Sequence, residues 1–218
     1  MEFLEKLMQV IVDEGIQTPK AQVERYLSPI LGLFLEEILK KTFHKEYQMI
    51  VPEFPIRKGT IAKSVGSEQS ESNQSTNIDY LMYNQTENKF VFIELKTDSK
   101  SFKPSQRKIY EDLKCVAKDK NNIFGQLLYD DLEKILSKST SKDKYKYLKT
   151  KWNDSMSAIN DMEIIYIVPA KTGLKEEVGR EDENKLCVLY FNDLPVELSL
   201  FSEEWKIILE YLKKLDMN

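Results

Sequence analysis

The sequence predicts a mixed α/β fold in which helices flank one central mixed β-sheet. Three observations lead to this prediction. Segments with helical and with strand-like hydrophobic periodicity alternate along the chain, and polar stretches rich in turn-forming residues separate them. The composition is that of an ordinary folded protein, with 41% hydrophobic and 31% charged residues. The 218 residues suit one domain with a sizeable core, spanning residues 1–218, better than two small domains.

Helices are predicted on the N-terminal side of the sheet. Apolar residues recur at helical spacing over residues 1–15, and Gly15 is expected to end this first helix. Thr18 and Pro19 have the residue types that cap and begin a second helix, which continues to Phe43. Pro29 is a candidate for a kink within it.

The remaining elements follow from the same patterns. A first strand is expected at 46–57, and its Pro52 and Pro55 favour the edge of a sheet because proline donates no ladder hydrogen bond. The polar, Ser-rich stretch 58–76 predicts a loop. Beyond a hairpin, the pattern predicts helices at 103–119 and 122–138, a partly helical basic stretch at 139–152, strands at 163–170 and 185–194, and an amphipathic helix at 202–215.

Composition also excludes several classes of site. Cys115 and Cys187 lie far apart without a CxxC partner, which excludes a cysteine zinc site and is typical of a reducing cytoplasm. His44 is the only histidine, so a histidine metal cluster is excluded. No apolar run is long enough to span a membrane and no signal peptide is recognisable, so we expect a cytoplasmic protein without a membrane partner. With a net charge of −4, any contact with nucleic acid must come from a local basic patch.

The stretch NIDYLMYNQTENKFVFIELKTD, residues 77–98, predicts a β-hairpin with charges inside its apolar runs. Asp79 lies in the first run, and Glu94 and Lys96 lie in the second. Burying these charges is costly unless something compensates them. Because side chains alternate along a strand, Glu94 and Lys96 share one face.

The turn of this hairpin sets which charges meet. A four-residue turn at 85–88 pairs Asn84 with Lys89 and brings Asp79 opposite Glu94. Cross-strand partners have Cβ atoms about 5 Å apart, so the two carboxylates repel each other unless a cation lies between them. Mg²⁺ or Mn²⁺ prefers such oxygen ligands. The hairpin therefore predicts a divalent metal site.

These residues resemble a known motif. Asp79, followed after fourteen residues by Glu94-Leu95-Lys96, is similar to the core of the PD-(D/E)xK nuclease superfamily, although Ile78 replaces the proline of the motif. The resemblance covers about residues 19–170 and implies a restriction-endonuclease-like αβββαβ core. The N-terminal helix (1–16) and the C-terminal strand and helix (185–218) would be additions to it.

The resemblance implies a role for each motif residue. Asp79, Glu94 and the carbonyl of Leu95 would hold one or two Mg²⁺ (or Mn²⁺) ions. Lys96 would orient the attacking water and stabilise the transition state. The family also carries an acidic residue on the helix before the sheet, for which Glu24 is our choice because it falls on the apolar face. The alternatives are that Glu24 is a partly buried, paired carboxylate, or that Glu37 is the ligand instead. Glu36 points away from that face.

A second resemblance follows the hairpin. Gln106 and Tyr110 have the Q-x-x-x-Y spacing of RecB-like members, and a spacing of four puts both on one helical face. The resemblance implies a catalytic Gln106 facing the metal centre and a Tyr110 that contacts the substrate strand. The alternative is a pair of ordinary helix residues, with Tyr110 in the core. Lys100 and Lys103, just before this helix, are candidates for phosphate contacts.

A basic segment with aromatic residues is the other candidate for nucleic-acid binding. Among its lysines are Lys144, Lys146 and Lys149, and Tyr145, Tyr147 and Trp152 lie between or beside them. Such a pattern suits a single strand or a frayed duplex end. A solvated helix face explains it equally well.

The function predicted from these features is metal-dependent hydrolysis of phosphodiester bonds, with DNA preferred over RNA. The alternative is a non-catalytic module that keeps the nuclease fold and binds nucleic acid or a partner protein. The sequence gives no indication of an oligomer.

Overall fold

The computed structural model describes residues 3–18, 22–59, 75–98, 104–119, 123–170 and 187–217. These residues form a five-stranded mixed sheet flanked by helices, which confirms the predicted fold class. Within these ranges, no helix combines the length and the apolar character that crossing a membrane requires. Most of the predicted loop at 58–76 lies outside the described residues.

The elements agree in order with the sequence prediction. In chain order they are α1 (Phe3–Met8), α2 (Gly15–Gln17), α3 (Val23–Gly32), α4 (Leu35–Phe43), β1 (Tyr47–Arg57), β2 (Ser75–Asn84), β3 (Lys89–Leu95), α5 (Pro104–Lys118), α6 (Phe124–Lys138), α7 (Lys142–Thr150), α8 (Asp154–Ser157), β4 (Met162–Val168), β5 (Cys187–Tyr190) and α9 (Ser202–Met217). A π-helical stretch (Gln9–Glu14) joins α1 to α2, and a short 3₁₀ helix (Phe191–Asp193) follows β5.

The strands lie in the order β1-β2-β3-β4-β5. The first strand is therefore at an edge, as its two prolines predicted. β2 and β3 are antiparallel, with a register that runs from Asn84↔Lys89 to Tyr80↔Ile93, and this confirms the turn at 85–88. The hairpin is the element that the sequence determined best, because its turn and its alternation agree.

The other half of the sheet is parallel. β4 and β5 are parallel, starting from the pair Ile165↔Cys187. The N–H of Phe90 donates to the carbonyl of Asp161, and the N–H of Lys96 donates to the carbonyl of Ile167. From the first bond to the second, the residue numbers increase in β3 and in β4 alike, so the two strands run in the same direction. β3 therefore has an antiparallel neighbour on one side and a parallel neighbour on the other.

The predicted start of the second helix is wrong. Gly15 does not end the first helical segment, which continues to Gln17. Thr18 closes that segment, since its Oγ1 donates to the carbonyl of Glu14 at 2.9 Å, and Gln22 is the N-cap of α3. Threonine hydroxyls bond to helix carbonyls as well as capping helix N-termini, so the residue type alone did not decide whether Thr18 begins or ends a helix. Pro19 lies outside the described residues.

The predicted second helix is in fact two helices. α3 contains Pro29 and ends at Gly32, and α4 begins at Leu35. A proline inside a helix removes one hydrogen-bond donor, and glycine has poor helical propensity. α3 ends at Gly32, after Pro29, which lies inside the helix. The kink expected at Pro29 stays a prediction.

The chain forms two compact units. The first comprises Met1–Tyr47, Glu94–Phe102 and Ile165–Asn218, and the second comprises Gln48–Ile93 and Lys103–Ile164. In the first unit, Phe34 packs against Trp205 with ring centroids 5.0 Å apart. In the second, Trp152 packs against Phe54 at 6.0 Å and Phe90 at 5.3 Å. The single domain expected from the sequence stays a prediction.

Glu37, one of the candidate metal ligands, joins α4 to a later segment of the first unit. Its carboxylate accepts hydrogen bonds from the N–H of Ser199 at 2.6 Å, the hydroxyl of Ser199 at 2.8 Å and the N–H of Leu200 at 3.0 Å. Burial favours the protonated form, but these three bonds and Lys41 outweigh it and lower the pKa of Glu37 from 4.5 to about 2.

This depressed pKa makes a pH-dependent contribution to stability. The contribution is fully present above pH 4.5, the ordinary value, and is lost as the pH falls toward the folded pKa of about 2. Glu37→Gln should therefore lower the free energy of unfolding at neutral pH by roughly 2 kcal/mol. The difference from the wild type should shrink steadily as urea unfolding is repeated at lower pH within this window. The exposed neighbour Glu36→Gln is the matched control, and a pH-independent difference for Glu37→Gln would contradict the assignment.

Candidate metal centre

Glu94 and Lys96 form a buried ion pair at the end of β3. Their side chains are almost inaccessible, at 1% exposure for Glu94 and 4% for Lys96. Lys96 Nζ donates to Glu94 Oε1 at 2.5 Å, which confirms that the two side chains share a face of the strand. The sequence predicted that a metal ion compensates the negative charge of Glu94. In the structure it is Lys96 that does so.

The same ammonium group contacts two further oxygens. Lys96 Nζ lies 3.0 Å from the carbonyl oxygen of Leu95 and 3.7 Å from Glu24 Oε2. Glu94, Leu95 and Glu24 are three of the four ligands that the sequence analysis assigned to a metal ion. We call these three residues and Lys96 the ELK cluster. Its oxygens surround one cation, the lysine ammonium, and they are of the hard carboxylate and carbonyl type that Mg²⁺ and Mn²⁺ prefer. The chemistry of the donor set therefore fits such an ion.

The cluster carries an excess of negative charge. Glu24 lies in the first turn of α3 and its side chain is 30% exposed. Burial raises the pKa of Glu24 above 4.5, and the charges of Glu94 and Asp98 raise it further, while Lys96 lowers it. A single ammonium is thus shared by two carboxylates, with the charge of Asp98 acting on Glu24 as well, and a second cation would be favoured there. The exposed Asp98 was missed in the sequence analysis, although its position two residues after Lys96 was a signal.

The structure distinguishes the candidate carboxylates on the helices before the sheet. Glu24 lies beside Lys96, whereas Glu37 is bound to residues 199–200 and Glu36 is exposed. Glu24 is also partly buried and ion-paired, as expected from the alternative that it is a paired carboxylate and not a metal ligand. Both interpretations of Glu24 therefore remain in agreement with its position.

Asp79 is the fourth predicted ligand. It is half-buried and precedes Tyr80, whose partner across the hairpin is Ile93, the residue before Glu94. The described ladder ends one residue short of the predicted pair, so the role of Asp79 stays a prediction. Among the described residues, no group of three or more histidine, cysteine, aspartate or glutamate side chains is arranged to hold a metal ion. The ELK cluster instead combines two carboxylates with a main-chain carbonyl.

The Q-x-x-x-Y pair is directly connected. On α5, Gln106 Nε2 donates to the hydroxyl of Tyr110 at 3.0 Å, so the spacing of four does place both side chains on one face. Tyr110 is 1% exposed and belongs to the core, as its alternative interpretation held. The hydrogen bond fixes the orientation of the Gln106 amide. The proposed contacts of this pair with a metal centre and a substrate strand stay predictions.

The basic segment is helical, and most of it is α7. Lys144 is exposed, Lys146 pairs with Asp143 at 3.2 Å, and Lys149 pairs with Glu133. Lys149 also lies 5.4 Å from the centre of the Tyr129 ring. Lys149 has these two intramolecular partners, so a contact between Lys149 and a phosphate is less favoured than one between Lys144 and a phosphate.

One other residue of the predicted nucleic-acid interface, Trp152, can be placed. Trp152 is half-buried in the aromatic core of the second unit, and its indole N–H donates to Ser157 Oγ at 3.1 Å. Its ring is thus engaged within the protein. Lys100 and Lys103 lie outside the described residues.

Comparison with known proteins gives no further assignment. None of the family models, curated proteins and solved structures that were compared with the chain matches it. The assignment of a function therefore depends on the ELK cluster itself.

The burial of the Glu94–Lys96 pair can be tested by stability. Lys96→Met leaves Glu94 buried without a cation and should lower the free energy of unfolding by about 3–5 kcal/mol, whereas the double variant Glu94→Gln, Lys96→Met should recover much of the loss. Lys40→Met removes the cation of an exposed pair, in which Lys40 lies 2.7 Å from Glu46, and is the matched control. Its cost should be below about 1 kcal/mol. Equal urea midpoints for Lys96→Met and Lys40→Met would show that the Glu94–Lys96 pair is not buried in solution.

Proposed function

We propose that this protein is a metal-dependent nuclease of the cytoplasm that hydrolyses phosphodiester bonds, with DNA as its main substrate. One observation carries the proposal. The oxygens of Glu24, Glu94 and Leu95 converge on the ammonium group of Lys96 at the end of β3. Three of these four residues form the sequence Glu94-Leu95-Lys96. A buried pair of charges is an expensive feature that a core position does not need for stability. Perturbed, partly buried charged groups of this kind concentrate at functional sites.

Glu24, Glu94 and the carbonyl of Leu95 would hold Mg²⁺ or Mn²⁺, with Asp79 as the further ligand that the sequence predicts. Such an ion lowers the pKa of a coordinated water and neutralises negative charge on the scissile phosphate. The protein supplies a fixed set of oxygens for it, because Glu94 and Leu95 belong to a central strand and are buried.

Lys96 has the second role in this proposal. Its ammonium is held at the cluster by Glu94 and Leu95, and so its charge is positioned before substrate arrives. When Glu94 binds a metal ion, Lys96 can donate instead to an oxygen of the phosphate and stabilise the negative charge that develops there. Gln106 would orient groups around the metal and Tyr110 would support the substrate strand, as the Q-x-x-x-Y resemblance implies. Lys144, Lys146 and Lys149 would contact the phosphate backbone of bound nucleic acid.

A non-catalytic binding module is the second candidate, and one observation favours it. Lys96 already compensates the charge of Glu94, so the most deeply buried carboxylate of the ELK cluster has a cationic partner without a metal ion. A protein that had kept the fold for binding alone would need nothing more.

Three substitutions separate the proposed roles. Asp79→Asn and Glu94→Gln each remove a charged oxygen ligand and should weaken Mn²⁺ binding at least about tenfold, with cleavage lost in parallel. Lys96→Met removes a competing cation, so Mn²⁺ should bind as well or better and should restore part of the stability of this variant. Cleavage should nevertheless fall by about 100-fold or more, because the phosphate loses its positive partner. Calorimetric titration of Mn²⁺ and cleavage of linear and circular, single- and double-stranded DNA measure these quantities on the same proteins.

Lys89→Met is the matched control for the lysine variant. Lys89 begins the same strand and lies 2.6 Å from Glu87 and 2.8 Å from Glu163, but it has no proposed role in cleavage. Its turnover should equal that of the wild type. A wild-type protein that binds neither Mg²⁺ nor Mn²⁺ with DNA present would refute the metal centre. One that binds both metal and DNA yet cuts nothing would favour the non-catalytic module.

A further inference from the structure

An open groove of about 640 Å³ lies between the edge strand β1 and helix α7, within the second compact unit. Pro52 and Pro55 line it from β1, and Lys144, Tyr145 and Tyr147 line it from α7. Its volume is in the range of pockets that bind small ligands or parts of larger ones, roughly 300–1,000 Å³. The groove uses none of the residues of the ELK cluster.

The two walls are suited to flat, aromatic ligands. Tyr147 is 58% exposed, and the ammonium of Lys151 lies 5.2 Å from the centre of its ring. Across the groove, the exposed ring of Pro52 offers an apolar surface, and Pro55, which also lines the groove, is itself buried. Exposed aromatic side chains beside basic groups are the platforms on which nucleobases stack.

The edge strand argues against a peptide as the occupant. Peptides add to sheet edges through main-chain hydrogen bonds. Pro52 and Pro55 have no N–H to donate, and between them Glu53 holds a positive φ of 53° that interrupts a regular strand. This edge is thus protected from strand addition. The carboxylate of Glu53 accepts a hydrogen bond from Asn77 at 3.3 Å, which gives the groove a polar edge that can meet the amino groups of bases.

The charge of α7 favours a polyanion. Residues 142–151 contain five lysines and one aspartate in a chain whose net charge is −4. That aspartate, Asp143, is paired with Lys146, and both Asp143 and Lys144 line the groove. Phosphates are the anions that such a basic helix attracts, with an affinity that falls as salt rises.

We propose that this groove binds single-stranded nucleic acid, with a base stacked on Tyr147 against Pro52 of β1 and a phosphate bound by Lys144. The groove is too small for a duplex, so the site selects unpaired nucleotides. The proposal shares its class of partner with the proposed nuclease, but it requires neither a metal ion nor cleavage.

Fluorescence anisotropy of a short labelled oligothymidylate, measured in EDTA so that no cleavage occurs, tests the proposal. Tyr147→Ala should weaken binding by roughly tenfold, the effect of removing one stacking ring, and Tyr147→Phe should stay within about twofold of the wild type. Tyr26→Ala is the matched control, because Tyr26 is equally exposed, at 60%, but lies on α3 in the other unit. Lys144→Glu should weaken binding and reduce the salt slope by about one unit. All these side chains are exposed, so the variants should fold, which far-ultraviolet circular dichroism checks.

Several results would overturn the groove assignment. They are a wild-type protein that does not bind the oligonucleotide, a Tyr147→Ala variant that binds it unchanged, and a blunt duplex that binds as tightly as the single strand. A proline-rich peptide that binds the groove in place of the oligonucleotide would overturn it as well. The outcome is separate from that of the cleavage assay, since binding in EDTA requires no metal ion and can succeed in a protein that cuts nothing.

Discussion

The ion pair between Glu94 and Lys96 decides what the end of β3 can do. Each charge is buried on a central strand, where either one alone would cost several kcal/mol. Each therefore depends on the other, and Lys96 depends also on the carbonyl of Leu95 and the carboxylate of Glu24. The position of α3 matters for this reason, because it brings Glu24 to the strand. A hydrophobic pair would fill the same space at lower cost, so the charges need an explanation beyond packing.

The proposed chemistry uses the properties that make the cluster costly. Oxygens that hold an ammonium group can also hold a divalent ion, and the charges of Glu94 and Asp98 that raise the pKa of Glu24 increase the attraction for any cation. A metal ion and Lys96 would compete for Glu94, and the lysine displaced by the ion would become available to a phosphate. In the proposed nuclease, stability and catalysis would therefore be linked through one set of oxygens. The nucleic-acid binding proposed for the groove beside α7 is independent of the cluster, because it would use Tyr147 and Lys144 and none of the cluster residues.

Local sequence patterns predicted the parts of the fold that depend on near neighbours. The turn at 85–88 and the alternation of β3 determined the hairpin register, and the prolines of β1 indicated an edge strand. The same local information placed Glu94 and Lys96 on one face. What it could not supply was partners distant in sequence. The bonds between Glu37 and residues 199–200, the packing of Trp152 on Phe54 and Phe90, and the pairing of Lys149 with Glu133 all connect remote positions, and each changed how a candidate residue is interpreted.

The central claim is that the oxygens around Lys96 form a site for a divalent cation. Anomalous diffraction from crystals grown with Mn²⁺ tests it most directly, because manganese is located independently of any activity. If the site binds the ion, an anomalous peak is expected in contact with Glu94 and the carbonyl of Leu95, with Lys96 Nζ moved away from Glu94. Crystals in which Lys96 remains bonded to Glu94, with no peak at the cluster at saturating Mn²⁺ in the presence of DNA, would contradict it.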